Sequence, residues 1–185
     1  SLSASIAPRL KQTYKYFYEG RRGSSKHTSS AFTYDDYGNV LTLRDEGDIG
    51  DADDIRAVIT YSASDSTCQG RRILDKAATI KVYDSSDKLL RHREGDIRCG
   101  EEYNGVMTEL RQYLEGDELT THKLAYDVYG NLTGIEGPEL DTGLEGDAAK
   151  ISINIVYDKI VNTYPLTVTD HFDLSASSTY DYRFG

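Results

Sequence analysis

The amino-acid sequence predicts an all-β fold, an antiparallel sheet of stacked hairpins that is twisted or curved. Three observations predict it. Short runs alternate apolar with polar residues, turn residues interrupt those runs at close intervals, and the phrase Y-D-x-Y-G-N is written twice, beginning at Tyr34 and at Tyr126. Strict alternation over four to eight residues is the mark of a half-buried strand. Many short strands with frequent turns imply antiparallel architecture.

The strands can be taken in order. Tyr14-Lys15-Tyr16-Phe17-Tyr18, Thr79-Ile80-Lys81-Val82-Tyr83, Ile151-Ser152-Ile153-Asn154-Ile155 and Leu166-Thr167-Val168-Thr169 all show period two. Tyr, Thr, Val and Ile suit a pleated surface, and tyrosine is abundant: 15 Tyr against four Phe and no Trp. Gly20, Gly38-Asn39, Ser85-Ser86-Asp87, Asn104-Gly105, Gly130-Asn131 and Gly137-Pro138 supply the turns. One segment pulls the other way, because Val106, Met107, Leu110, Tyr113 and Leu114 fall at helical spacing. Asn104-Gly105 is a hairpin signal directly before Val106, and the surrounding β context favours a strand.

Composition narrows the classes. At 185 residues the chain is one ordinary domain, read as a fragment of a larger chain because it opens on Ser1 and holds a single Met, Met107. A net charge of −10 and a pI near 4.8 repel nucleic acid. Arg21, Arg22, Lys26, His27, Arg71 and Arg72 form short basic groups of the kind found at solvated loop ends. No apolar run approaches the roughly 18 residues of a membrane span. Cys68 and Cys99 lack the spacing of a zinc site. A disulfide between them and a pair of buried free thiols are equally open. The acidic stretch 45–54 fails the spacing of a calcium loop and reads as a solvated, mobile loop.

The repeated phrase has a physical reading. In Tyr126-Asp127-Val128-Tyr129-Gly130-Asn131-Leu132 the first tyrosine ends a strand with its ring against the sheet. The carboxylate of Asp127 can accept the backbone N–H two residues on. Gly130 supplies the positive φ of a type I turn followed by a bulge. Tyr34, Asp35, Gly38 and Asn39 repeat the pattern position for position.

The phrase resembles the tyrosine-aspartate repeat of the Rhs/YD-repeat family, whose core pattern is Y-D-x-x-G-x-L. Degenerate copies stand at Tyr83-Asp84, with Asp87 where Gly is expected, and at Tyr157-Asp158; Tyr180-Asp181-Tyr182-Arg183-Phe184-Gly185 matches a recurrent ending of the family. The order of YDDYGNVLTLRDEGD, IKVYDSSDKLLRHREGD, YDVYGN, TYPLTVTDHF and TYDYRFG is similar to the B component of insecticidal toxin complexes, the SpvB/TcB type. The resemblance covers most of residues 32–185. It divides the chain into an N-terminal strand or capping segment, 1–31, and a YD-repeat sheet, 32–185. Tyrosines at 34, 83, 126, 157 and 180 are unevenly spaced, which suits a curved sheet of unequal hairpins better than a strict solenoid.

What the resemblance implies is a non-catalytic segment of a β shell that encloses and helps deliver a toxic polypeptide, secreted or at the surface of a bacterium. Its partners would be other segments of the parent chain, or a C-component partner and its enclosed effector. The alternative is an extracellular module that binds carbohydrate or a partner protein. Neither the autoproteolytic D-P-x-G-L boundary nor the R…S-T-S…E-x-E pattern of ADP-ribosylating relatives is present. His27, His92, His122 and His171 are scattered without a catalytic or metal-binding motif, so no catalytic residue, metal or cofactor is expected. Asn131-Leu132-Thr133 is formally a glycosylation sequon, but the turn explains it better. The tyrosine content suggests an inner wall that water can wet. An excised sheet exposes unpaired edges, so the chain is expected to be capped by residues 1–31 or to self-associate through an edge strand.

Overall fold

The computed structural model describes residues 8–20, 22–23, 26–48, 53–100, 105–114, 118–140 and 149–184, apart from the side chains of 139, 140 and 149. Twelve strands form one sheet, and every strand pairs antiparallel with its neighbours in sequence. They are β1 (Gln12–Phe17), β2 (Lys26–Tyr34), β3 (Val40–Asp48), β4 (Ile55–Tyr61), β5 (Ala77–Asp84), β6 (Leu89–Arg98), β7 (Val106–Tyr113), β8 (Leu119–Tyr126), β9 (Leu132–Leu140), β10 (Ala149–Tyr157), β11 (Pro165–Asp170) and β12 (Ser175–Ser177). The ambiguous segment is strand over Val106–Tyr113, with Leu114 just beyond it, because β7 ladders with β6 from Arg98↔Val106 to His92↔Tyr113, across one register shift, and with β8 from Glu109↔Lys123 to Tyr113↔Leu119. Helix is confined, among the described residues, to a 3₁₀ turn at Ser62–Ser64 and a single five-residue helix, α1 (Ser66–Gly70), both in the connection between β4 and β5. Residue 31 lies within β2, and the sheet runs without interruption from β1 into β2.

A strict meander places alternate connections on opposite rims. The lower rim carries the β2–β3, β4–β5, β6–β7, β8–β9 and β10–β11 connections. The upper rim carries the others, several of which fall outside the described residues, including 49–52 of the acidic stretch. Its residues 45–48 belong to β3, where Glu46 accepts from Ser29 Oγ at 2.6 Å and Asp48 pairs with Lys26.

The register separates two chemically distinct faces. Phe32, Leu43, Ala57 and Val82 lie opposite one another in successive strands, as do Ile59 and Ile80. Leu124, Ile135 and Ile153 continue that face on β8–β10, and Ile155, Val168 and Ala176 on β10–β12. Arg91, Arg93 and Gln112 divide it into two aliphatic fields. The other face holds Arg44 and Arg56, Lys81 and His92, Glu94 and Arg111, then Asp96, Glu109, Lys123 and Glu136. Ion pairs cross this face, as with Arg111 Nε 3.5 Å from Glu94 and Lys150 Nζ 2.8 Å from Glu136, while Arg44 faces Arg56 and Asp96 faces Glu109 like to like.

No second layer covers either face among the described residues. The buried apolar side chains there are Cys68 and Cys99, 1% and 4% exposed, and both sit at the lower rim. Backbone pairing and the rim therefore carry the cohesion that a core supplies in a two-layer domain.

Candidate functional site: the repeated turns and the stitched lower rim

Each site begins with an aspartate that ends or follows a strand. At Asp35 the carboxylate oxygen Oδ1 accepts from the backbone N–H of Tyr37 at 2.9 Å and of Asn39 at 2.8 Å, while Oδ2 accepts from Asn39 Nδ2 at 2.8 Å. Asp35 N–H donates to Asn39 O at 3.0 Å, and Gly38 N–H to Asp35 O at 3.3 Å. At Asp127 the same five bonds recur with Tyr129, Asn131 and Gly130, at 2.9, 2.9, 3.0, 3.0 and 3.1 Å. Gly38 and Gly130 take φ of 100° and 86°, values that a residue with a Cβ adopts only with strain. The two phrases thus form the same bend.

Asp84 forms it with other residues. Its carboxylate accepts from the N–H groups of Ser86 and Lys88 and from Ser86 Oγ, and Asp87 stands at φ 63° where the first two turns have Gly38 and Gly130. A fourth closed turn, absent from the sequence reading, begins at Asp170. Its carboxylate accepts from Phe172 N–H at 2.9 Å and Leu174 N–H at 3.0 Å, with Asp173 at φ 60°. Thr169 stands where the phrase has tyrosine, and this hid the turn. The legible signal was D-x-x-[GD]-x closing on a strand.

Two of the quoted copies differ. Asp158 heads a wider connection, closed by its N–H on Tyr164 O at 2.9 Å. Its Oδ1 accepts from Ile160, Val161 and Asn162, and its Oδ2 from Thr163 and Tyr164. Asp158 is 1% exposed. Burial alone would raise its pKa, but the backbone donors of Tyr164, Val161, Thr163 and Ile160 outweigh burial and hold the carboxyl well below the ordinary range. Asp181, beyond β12, makes the opening half of the turn through Arg183 N–H to its carboxylate and Phe184 N–H to its carbonyl.

For Asp35 and Asp127 the balance is similar. Burial pushes each pKa up, and the Asn39 or Asn131 amide with nearby backbone donors pulls it lower overall. For Asp84 the Ser86 hydroxyl is the leading cause of a lowered pKa.

The tyrosines split into two groups. The leading ones are tied down: Tyr34 OH donates to Leu10 O at 2.8 Å, Tyr126 OH to Met107 O at 2.9 Å and Tyr180 OH to Pro165 O at 3.0 Å. Tyr83 lies under the Arg56 guanidinium, 4.6 Å from its centroid, and Tyr157 pairs with Pro165 across the β10–β11 ladder. Inside the turns, Tyr37 and Tyr129 are 51% and 65% exposed. They stand on separate turns.

Lateral ties connect the lower-rim connections. Asn39 Nδ2 also donates to Leu74 O at 2.9 Å, and Asn131 Nδ2 to Asn162 O at 2.7 Å. Each repeated turn thereby grips the connection two strands further on. The amide of Asn131, formally a glycosylation acceptor, is spent on these two bonds. Gln69 Nε2 meets Tyr37 OH at 3.0 Å, and Cys68 and Cys99 form a disulfide with Sγ–Sγ 2.01 Å. Tyr164 stacks on Tyr180 at 4.7 Å to close the corner beside β12.

Most chemistry-bearing groups elsewhere are paired, although the buried Nδ1 of His122 has no hydrogen-bond partner among the described residues. An upper-rim hollow of about 280 Å³ gathers Asp54, Asp84 and Asp87 with Arg44 and Arg56. Asp84 is committed to its turn, Asp87 to Arg56 at 2.7 Å and Asp54 to Arg44 at 3.4 Å. His92 stacks on Tyr113 at 4.1 Å with Nε2 2.9 Å from Glu94, His27 stacks on Tyr16, and His171 lies tilted against Phe172. Among the described residues no three His, Cys, Asp or Glu converge as metal ligands. No helix there is long and apolar enough to cross a membrane.

This architecture has a solved counterpart. The chain is similar to one in the crystal structure of TcdB2–TccC3–Cdc42, with a TM-score of 0.54 and 14% identity, over 86% of this chain and 8% of that one. The relation to toxin-complex and Rhs-like proteins is accordingly one of fold, and this chain spans a small part of its counterpart's length. No family model matches the sequence, and no curated protein does.

Proposed function

We propose that the chain is a non-catalytic wall segment of an Rhs/toxin-complex-like β shell that encloses and helps deliver a toxic polypeptide. The observation that carries this reading is a twelve-strand single-layer sheet with one aliphatic face and one charged face. Such a sheet is unsuited to stand alone, because no layer covers its aliphatic face among the described residues. In a closed wall the charged face meets water and the aliphatic face turns inward. The similarity to a toxin-complex chain supports the same role. β1 is the outermost strand on one side, and residues 1–31 would cap or continue the wall there.

The expectation of a tyrosine-wetted inner face meets a different arrangement. Tyr14, Tyr16, Tyr83 and Tyr113 share the charged face, while the aliphatic face is built from Ile, Leu, Val and Phe. The inward surface in this proposal therefore interacts with apolar segments of an unfolded cargo. A shell of this kind acts in secretion or at a bacterial surface, with a C-component partner or the rest of the parent chain completing it.

The test is binding of a fluorescently labelled, permanently unfolded polypeptide, read by anisotropy. The shell reading expects micromolar or weaker binding that Ile80→Lys with Ile135→Lys abolishes. A reproducible hit on a glycan array, with no response to the unfolded polypeptide, would overturn it in favour of a carbohydrate-binding module.

A further inference from the structure

The repeated turns grip two wide lower-rim connections, and those connections are locked by different chemistry. The segment 158–164, gripped by Asn131, is locked by the buried Asp158 carboxylate through five backbone N–H groups. The segment 62–76, gripped by Asn39, has no such carboxylate at its centre. Asp65 caps α1 through the N–H groups of Thr67 and Cys68. At five residues, α1 is far too short to hold itself together. Buried Ser62 closes the two ends of the segment, its Oγ donating to Ile73 O at 2.8 Å and accepting from Lys76 N–H at 3.2 Å, and the Cys68–Cys99 disulfide ties α1 to the β6–β7 connection across the feet of β5 and β6.

We propose that this disulfide is a redox-operated clasp on the lower rim between β2 and β7. In its closed state 62–76 bridges from the β2–β3 turn to the β6–β7 connection. One end is fixed by Asn39 to Leu74 O and Gln69 to Tyr37 OH. At the other, Ile73 lies so close to Gly105 that a Cβ there would fall 2.5 Å from its Cγ2. A dithiol reductant opens it by exchange. One reductant thiolate takes a cystine sulfur as a mixed disulfide and releases the other as a cysteine thiolate. The second reductant thiol then closes its own disulfide, leaving Cys68 and Cys99 as two thiols. Both sulfurs are buried, so exchange follows a local opening of the clasp. The β4–β5, β5–β6 and β6–β7 ladders carry their own backbone pairing and stay in place. The rim beyond β8, held by Asp158, does not respond.

The experiment is hydrogen–deuterium exchange of the folded chain before and after dithiothreitol at neutral pH, with free thiols counted in parallel. Release of two thiols should raise exchange at least tenfold in 62–76 and at residues 99–100, and leave 158–164 and the strands β8–β11 unchanged. Dithiothreitol should add nothing to a Cys68→Ser/Cys99→Ser variant, whose 62–76 already exchanges fast. If that variant does not fold, the wild-type comparison still decides. Unchanged exchange in 62–76 after two thiols appear, or an equal rise throughout the sheet, would overturn the clasp. Neither readout depends on cargo binding, so the shell reading and the clasp fail separately.

Discussion

At the scale of the residue, aspartate rather than tyrosine is the constant of these turns. Asp35, Asp84, Asp127 and Asp170 each cap their own bend, while the preceding residue is Tyr, Tyr, Tyr and Thr. The tyrosine is legible because it is large and repeated; Asp170 is not, because Thr169 stands where the other turns have tyrosine. Two predictions belong here. Gly130→Ala should cost about 1–2 kcal/mol, since φ of 86° strains any Cβ. Asp87→Gly, at φ 63°, should cost less than about 1 kcal/mol, because relief of strain offsets the greater freedom of the unfolded chain and the Arg56 ion pair it removes is exposed; urea midpoints measure both. The second concerns acid. The carboxyls of Asp35, Asp84, Asp127 and Asp158 have folded pKa values below the ordinary 3.8. A depressed pKa contributes stability that is fully present above the unfolded value and lost as pH falls through the folded one. Urea midpoints should therefore be insensitive to these groups above about pH 5 and fall below about pH 4. Asp158→Asn should give the largest single loss at neutral pH and a shallower acid slope, because an amide offers its Nδ2 hydrogens to backbone donors.

At the scale of the element, the four closed turns recur every third strand. They join β2–β3, β5–β6, β8–β9 and β11–β12, so they alternate between lower and upper rims. Asp35, Asp84, Asp127 and Asp170 stand 49, 43 and 43 residues apart, more regular than the tyrosine positions suggest. Strand and turn identities were legible because period two and turn chemistry are local signals. The clasp was not, because the 15 residues between β4 and β5 declare neither a five-residue helix nor a partner 31 residues away. Asp158 read as one more copy, since five donors converging on one carboxylate depend on how the following loop folds. One consequence can be checked at this scale. Asp170→Ala should release β12, raising exchange in 171–178 about tenfold with β1–β8 unaffected, whereas Thr169→Tyr should leave exchange there unchanged.

At the scale of the whole molecule, the open question in solution is what covers the aliphatic face. An isolated twelve-strand sheet has two unpaired edges as well as this face, and the two lead to different associations. β12 is only three residues long, and Tyr180 and Tyr164 close the corner beside it, so that edge offers little pairing length. β1 offers six residues and exposed rings at Tyr14, Tyr16 and Phe17. The face extends across most of the strands, and burial of apolar area at about 25 cal/mol per Å² makes it the stronger drive. The isolated chain should therefore bind a hydrophobic dye and self-associate, as read by light scattering after size exclusion. Ile80→Lys with Ile135→Lys should suppress both while far-UV circular dichroism keeps its β signal. Lysines placed at Thr79 and Thr121, on the charged face, should suppress neither. If a proline in β1 dispersed the oligomer and the face variant did not, association would run through the edge, and the inward orientation of the aliphatic face would lose its physical basis.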